Sequence, residues 1–139
     1  MILVPLFDLK SLIERAAPGA GTSKSAALDW SNMASANYRL FHAAILGRKQ
    51  ITCIYRDRYR EICPHILGHS AGEEKALAYQ FAGESKSGLP PRGEWRCLFL
   101  ADVRDALIRD GAWHSGSRHS TTQVCVDHVD IDVNWQLGV

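Results

Sequence analysis

The sequence predicts an α+β fold, in which an N-terminal helical segment at residues 1–48 precedes a small, strongly bent antiparallel sheet at 49–139. Apolar residues recur at helical spacing up to Gly47, and from Gln50 the pattern changes to short β-prone runs separated by polar turns. Four or five short strands joined by tight turns most often close into a barrel, because closure removes unpaired strand edges. We therefore expect an SH3-like or Sm-like barrel.

Two stretches of the first 48 residues have helical periodicity. The first covers residues 6–16, and the second covers 26–46 and ends at Gly47, a residue that favours helix termination. The segment between them, 17–25, is rich in Gly, Ser and Pro and is predicted to be a loop. An apolar stripe such as that of 26–46 is typical of a core or of an oligomer contact, so this helix is also a candidate for homodimerisation.

The first part of the predicted sheet is a hairpin. Residues 51–55 and 59–67 are β-prone runs, and the polar residues 56–58 form the turn between them. Pro64 has no N–H donor, so it needs a strand edge or a bulge.

The rest of the chain continues with short elements and turns. Further strands are predicted at 75–82, 94–100, 121–126 and 129–133. Residues 68–74 are predicted to form a turn, and residues 83–93 a long exposed loop, which in a compact domain is often functional or else merely disordered. Residues 101–109 fit either a short helix or a strand that follows a turn.

The cysteines and the N-terminus bear on the compartment. Cys53, Cys63, Cys97 and Cys125 show no CxxC spacing, and we interpret them as reduced residues used as small buried hydrophobes. The first ten residues have no basic n-region, and no run of about 18 apolar residues is present. These features predict a cytoplasmic protein without a membrane contact.

The segment ILGRKQITCIYRDRYREICPHILG resembles the opening of the WYL domain, a bacterial ligand-sensing module with an Sm-like barrel. The matching positions are Tyr55, Arg60, Ile62, Pro64 and Leu67. A later segment, EWRCLFLADVRDALI, is similar to a family strand in which an Arg precedes a hydrophobic run, and that residue is Arg96 here. The likeness covers roughly residues 45–113. The Trp-Tyr-Leu run that names the family is replaced by KALAYQFA, which keeps Tyr79, so the resemblance implies a divergent, stand-alone member.

The resemblance implies a regulatory module that binds a nucleotide or a single-stranded nucleic-acid end through an arginine-lined pocket. The implied ligand-binding residues are Tyr55, Arg60, His65, Tyr79 and Arg96. Guanidinium groups bind phosphate bidentately, which makes Arg60 and Arg96 the central pair, whereas Arg56 and Arg58 also fit a solvated hairpin. The net charge is only +1, which disfavours nonspecific binding to a long polyanion.

Two other functions remain open. A small metal-dependent or thiol-dependent enzyme would use His65 with His69 or Cys63, or the collection His114, His119, Cys125 and His128. The spacing of that collection matches no common zinc finger, and no third residue that would orient a Cys–His pair is identifiable. We therefore assign no catalytic residue, metal ligand or cofactor, and favour a binding module over an enzyme. The third function is that of an interaction protein, with helix 26–46 as the contact and the sheet as a scaffold.

Overall fold

The computed structural model describes residues 34–85, 88–116 and 123–138. Within these ranges lie one α-helix and six strands: α1 (Ala36–Gly47), β1 (Gln50–Tyr55), β2 (Arg58–Ser70), β3 (Glu73–Gly83), β4 (Glu94–Phe99), β5 (Val103–Arg109) and β6 (His128–Asp132). A 3₁₀ turn, Leu100–Asp102, joins β4 to β5, and a second 3₁₀ segment follows β6. The helix belongs to the same compact unit as the sheet, Ala36–Val139. The predicted α+β class is therefore confirmed.

The strands form one antiparallel sheet in the order β4-β3-β2-β1-β5, and β6 pairs with β2. In the described part of the chain β4 and β5 do not pair, so the predicted closure into an SH3-like or Sm-like barrel is wrong. The outer strand β5 carries the exposed charged residues Arg104, Asp105 and Arg109. Asp105 has a φ of 54°, at a register shift in the ladder with β1. Charges and a bulge protect a strand edge without closing the sheet.

Strand β2 connects the parts of the sheet, because β1, β3 and β6 all pair with it. Its ladder with β1 reaches Ile62, and its ladder with β6 begins at Ile66. Between these two ladders lies Pro64, opposite a register shift in the pairing with β3. A residue without an N–H donor fits such a position, so the prediction for Pro64 is confirmed.

Helix α1 covers one face of the sheet and packs mainly against β2 and β5. Its buried residues are Tyr38, Phe41, Ala44 and Ile45. The helix predicted at 26–46 is thus observed from Ala36, whereas residues 26–33 and the elements predicted at 6–16 and 17–25 lie outside the described residues. Since Phe41 is fully buried, the stripe serves as core, and the homodimer stays a prediction. In the described part of the chain, no helix has the length and apolar character that a membrane span needs.

The structure decides or corrects three of the predicted segments. Residues 101–109 form the 3₁₀ turn and then β5, which confirms the strand alternative. The described residues of 121–126 form no strand. The turn predicted at 68–74 is tighter, so that Gly68 lies within β2. A Cβ atom there would overlap the backbone oxygen of His128, which explains why the close approach of β6 needs glycine.

Two of the four cysteines are not reduced. Cys97 on β4 and Cys125, just before β6, form a disulfide, which corrects our interpretation of these two residues. Cys53 and Cys63 are free and buried, as predicted. The two disulfide-bonded cysteines, Cys97 and Cys125, are 28 residues apart in the sequence. Cys125 Sγ also lies 3.4 Å from the backbone oxygen of Ala76 on β3, the strand that pairs with β4, and local spacing does not reveal such a tertiary contact.

Candidate functional site

Two arginines from separate strands meet at one side-chain oxygen. Arg60 Nη1 on β2 donates to Gln80 Oε1 on β3 at 3.1 Å, and Arg96 Nε on β4 donates to the same oxygen at 3.3 Å. Arg96 Nη2 also donates to Ser85 Oγ at 2.9 Å. The strand order β2-β3-β4 explains the meeting, because side chains of neighbouring strands that share a face converge. The Arg60 and Arg96 guanidinium groups therefore form a single cationic site.

The positive charge of Arg60 has no carboxylate partner in the described part of the chain. The residue is only 7% exposed, and its recorded partners are the amide of Gln80 and the ring of Tyr55, whose centroid lies 5.1 Å from Cζ. Its Nε atom is buried without a hydrogen-bond partner, and among the described residues no carboxylate forms an ion pair with it. Burial, followed by repulsion from Arg96, lowers the pKa of Arg60. The charged form is thus held in an unfavourable environment.

The other partners of the pair add little negative charge. Glu94 lies 3.5 Å from Arg96, but its side chain is 48% exposed, and ion pairs in water are weak. Cys53 lies opposite Arg60 in the β1–β2 ladder. Burial raises the pKa of Cys53 to about 11 although Arg60 lowers it, so this thiol is neutral at physiological pH. The site consequently keeps an excess of positive charge.

Tyr55 supports the site from β1. Its hydroxyl oxygen accepts a hydrogen bond from the backbone N–H of Phe99 at 3.0 Å, next to the 3₁₀ turn that follows β4. Its ring also lies beside the Arg60 guanidinium, an arrangement favourable for a cation. Tyr55 therefore connects the arginine pair to the end of β4.

We expect Tyr55→Phe to lower the free energy of unfolding by about 1–2 kcal/mol, because the Phe99 N–H loses its acceptor while the ring beside Arg60 is kept. Urea unfolding followed by tryptophan fluorescence measures the change. Tyr59→Phe is the control, since Tyr59 is 40% exposed and its hydroxyl contacts the exposed side chain of Arg109, where a hydrogen bond competes with water. Equal stability of the two variants would contradict a structural role of the Tyr55 hydroxyl.

The other two predicted ligand-binding residues lie elsewhere. Tyr79 and His65 belong to the opposite face of the sheet, where both rings pack edge-on against Trp95 at centroid distances of 5.0 and 4.7 Å. His65 also contacts Trp113 at 4.7 Å. An odd separation along an extended strand puts side chains on opposite faces, which explains why His65 and Arg60 do not share a surface. The structure thus brings Tyr55, Arg60 and Arg96 together and separates them from His65 and Tyr79.

The face of the sheet that carries Tyr79, His65 and Trp95 also contains a cleft of ≈ 440 Å³. It is lined by Tyr79, Arg92, His114, Ser115 and Gly116. The His114 ring stacks on Phe81 at 4.0 Å, and the Tyr79 hydroxyl donates to the backbone oxygen of Arg92. Two of the cleft's polar side chains are therefore already engaged within the protein.

The residues proposed for an enzyme are not arranged for one in the described part of the chain. Cys63 Sγ contacts backbone groups of Ala112 and His114, and burial raises the pKa of this thiol, which disfavours a thiolate. His65 Nδ1 faces the backbone oxygen of Cys63 and not its sulfur.

The histidine collection is also divided. Cys125 is bonded to Cys97 and so cannot ligate a metal, whereas His119 lies outside the described residues. His128 pairs with His69 across the β2–β6 ladder, and His69 Nδ1 lies 3.0 Å from Asp130. No group of three potential metal ligands occurs among the described side chains.

Sequence reasoning missed Gln80, the residue that joins the two arginines. A signal was present, because Gln80 is the only strongly polar residue within the otherwise apolar run Ala76–Ala82. A fully buried amide in such a strand must form hydrogen bonds, and therefore indicates a buried polar partner nearby.

The chain matches no protein-family model, no curated protein and no solved structure. A function therefore has to be inferred from the residues themselves. Among the described residues, the feature that most needs an explanation is the pair Arg60 and Arg96, in which the buried Arg60 has no carboxylate partner and Arg96 has only the exposed Glu94.

Proposed function

We propose that this protein is a WYL-like regulatory module that senses a ligand by binding its phosphate between Arg60 and Arg96. The ligand is a nucleotide or a single-stranded nucleic-acid end. One observation carries the proposal: a buried guanidinium and a half-buried one share a neutral acceptor, Gln80 Oε1. Burying a charge without a counter-charge costs several kcal/mol, and unfavourable charged groups of this kind concentrate at functional sites. A phosphate would supply the missing negative charge.

The chemistry of the pair suits a phosphate oxygen. Arginine presents several N–H donors in one plane, and hydrogen bonds between a guanidinium and an anion are about twice as strong as neutral ones. Ser85, which already accepts a hydrogen bond from Arg96, adds a hydroxyl beside the site. The site therefore has the donors that phosphate binding requires.

The ligand is small, or is bound at one point only. Two arginines neutralise about two phosphates, and for a single strand this corresponds to a slope of about −1.4 in a plot of log K against log salt concentration. The net charge of the chain, +1, adds little long-range attraction. A cytoplasmic location belongs to the same proposal. The proposal does not require a homodimer.

We expect Arg96→Gln and Arg60→Gln each to weaken binding of adenosine 5′-monophosphate by roughly tenfold to a hundredfold. Each change removes hydrogen bonds to a charged group, which contribute about 1.5–3 kcal/mol. Isothermal titration calorimetry measures the affinity. A 5′-phosphorylated oligothymidylate serves as a second probe.

Arg104→Gln is the matched control, because Arg104 is exposed on β5 and pairs with Asp57 away from the site. Its affinity for both probes should equal that of the wild type. Unchanged affinity in both site variants, or an equal loss in Arg104→Gln, would refute the arginine pair as the phosphate site.

A further inference from the structure

The side chain of Gln80 uses its whole amide to hold the arginine pair and the following loop in place. Its Oε1 accepts from Arg60 and Arg96, and its Nε2 donates to the backbone oxygens of Ala82 at 3.2 Å and Glu84 at 2.9 Å. The residue is fully buried. The amide oxygen therefore lies where an oxygen of a bound anion would have to lie.

We infer that Gln80 is an internal substitute for the ligand, and that an anion binds by displacing the Gln80 side chain from the two guanidinium groups. This inference rests on the phosphate site proposed above and adds how that site is controlled. A neutral oxygen satisfies the hydrogen-bonding directions of Arg60 and Arg96 but leaves their charge uncompensated. An anionic oxygen satisfies both, so the exchange is favourable at the arginines.

The exchange is opposed at the amide, which loses its hydrogen bonds when it leaves. The apparent affinity for an anion is therefore lower than it would be if Gln80 did not contact the two arginines. Only the fraction of molecules in which Gln80 has moved aside can bind. Gln80 therefore helps to determine the ligand concentration at which the protein responds.

Displacement of Gln80 also reaches the loop after β3, of which the structure describes residues 84–85 and 88–93. The bond from Gln80 Nε2 holds Glu84, and the bond from Arg96 Nη2 holds Ser85, at the start of the loop. At the other end, a Cβ on Gly93 would come within 2.5 Å of the backbone oxygen of Gln80, so the loop returns directly onto the same residue. An anion that takes over the guanidinium donors thus breaks contacts that fix the loop. This gives binding a structural readout.

The depth of the pair restricts the ligand. Arg60 is 7% exposed, and the Arg96 side chain is 17% exposed. A phosphodiester continues on both sides and would need an open groove, whereas a terminal phosphate has three free oxygens and enters with its end alone. The ligand class is therefore a molecule with a terminal phosphate monoester.

The test uses two replacements of Gln80 in the full chain, with inorganic phosphate and adenosine 5′-monophosphate as probes. Gln80→Met removes the competing oxygen at similar volume, and we expect it to bind both probes roughly tenfold more tightly, because one net hydrogen bond no longer opposes binding. Gln80→Glu supplies a permanent carboxylate, and we expect it to raise the melting temperature and to weaken binding at least tenfold. If Gln80→Met does not fold, Gln80→Glu decides the question alone.

Gln50→Met is the matched control. Gln50 is also buried and accepts from an arginine, Arg109, but that arginine has a carboxylate partner in Glu61. Its phosphate affinity should not change. Amide hydrogen exchange at Glu84, Ser85 and Gly93 should rise when phosphate is added to the wild type, and it should stay constant in Gln80→Glu.

The outcomes separate this inference from the proposed function. If Arg96→Gln loses binding while both Gln80 variants bind like the wild type, the displacement of Gln80 is refuted and the phosphate site stands. If neither the wild type nor Gln80→Met binds either probe, both are refuted. Equal binding of adenosine 5′-monophosphate and adenosine would refute the terminal phosphate as the recognised group.

Discussion

Replacing Arg60 with methionine is expected to raise the free energy of unfolding of the ligand-free protein by about 1–4 kcal/mol and to weaken phosphate binding by at least roughly tenfold. Methionine keeps an unbranched apolar side chain of similar length and removes a buried charge that no described carboxylate compensates. Gln80 Oε1 keeps a donor in this variant, because Arg96 Nε still contacts it. Burial and the neighbouring Arg96 both lower the pKa of Arg60, which shows the direction of the cost: the cation is less favourable here than in water.

Urea unfolding of the free protein, together with calorimetric titration of adenosine 5′-monophosphate, measures both effects in one variant. Arg104→Met provides the comparison, since Arg104 is exposed and surface changes of this kind usually stay within about 0.5 kcal/mol. A destabilised Arg60→Met protein would mean that Arg60 is a structural residue whose contacts outweigh its desolvation.

Opposite signs for stability and binding are what distinguish a functional charge from a structural one. A structural arginine stabilises the folded state, so its removal lowers stability whether or not a ligand is present. A charge kept for binding makes the free protein less stable, and it becomes favourable only when an anion reaches it. The Arg60 variant therefore tests the meaning of the uncompensated charge independently of the ligand's identity.

The parts of the fold that depend on residues adjacent in the sequence were predictable from it. The hairpin of β1 and β2 and the strands β3 and β4 followed from short β-prone runs and polar turns. The WYL-like resemblance pointed to Arg60 and Arg96, which the structure brings to one oxygen, whereas their role in binding stays a prediction. Closure of the sheet was not predictable in this way, because it depends on whether β4 and β5 meet. The prediction that His65 belongs to the arginine site was avoidable. His65 is five positions after Arg60, and an odd separation along one strand already implied opposite faces.

Other features depend on contacts that local patterns do not encode. The run Ala76–Ala82 marks Gln80 as a buried polar residue, but its two arginine partners depend on the strand order, which puts β2 and β4 on either side of β3. The disulfide likewise depends on a tertiary contact. Cys125, predicted in a strand at 121–126, lies in a described segment that forms no strand, beside the buried residues Ile66 and Leu77. Both features are consequences of the strand order and not of residue spacing.

Reduction of the Cys97–Cys125 disulfide is expected to lower the free energy of unfolding by about 2–4 kcal/mol, because the bond closes a loop and restricts the unfolded chain. Cys97 is exposed, so a reductant can reach the bond in the folded protein. Urea unfolding with and without tris(carboxyethyl)phosphine measures the effect. Cys97→Ser cannot form the disulfide, so with and without the reductant it should have the lower stability expected for the wild type after reduction. A wild-type midpoint that does not respond to the reductant would mean that the bond does not form in solution.

The same bond tests the proposed compartment, because disulfides persist in oxidising compartments and are reduced in the cytoplasm. Trapping thiols with maleimide in intact cells before lysis counts the reduced cysteines. A cytoplasmic protein should show all four cysteines reduced after denaturation, whereas a protein in an oxidising compartment should show only Cys53 and Cys63. Two trapped thiols would overturn the cytoplasmic location. Four would mean that the protein works in the cell without this crosslink, with β6 held by its pairing with β2 and by the apolar contacts around Cys125.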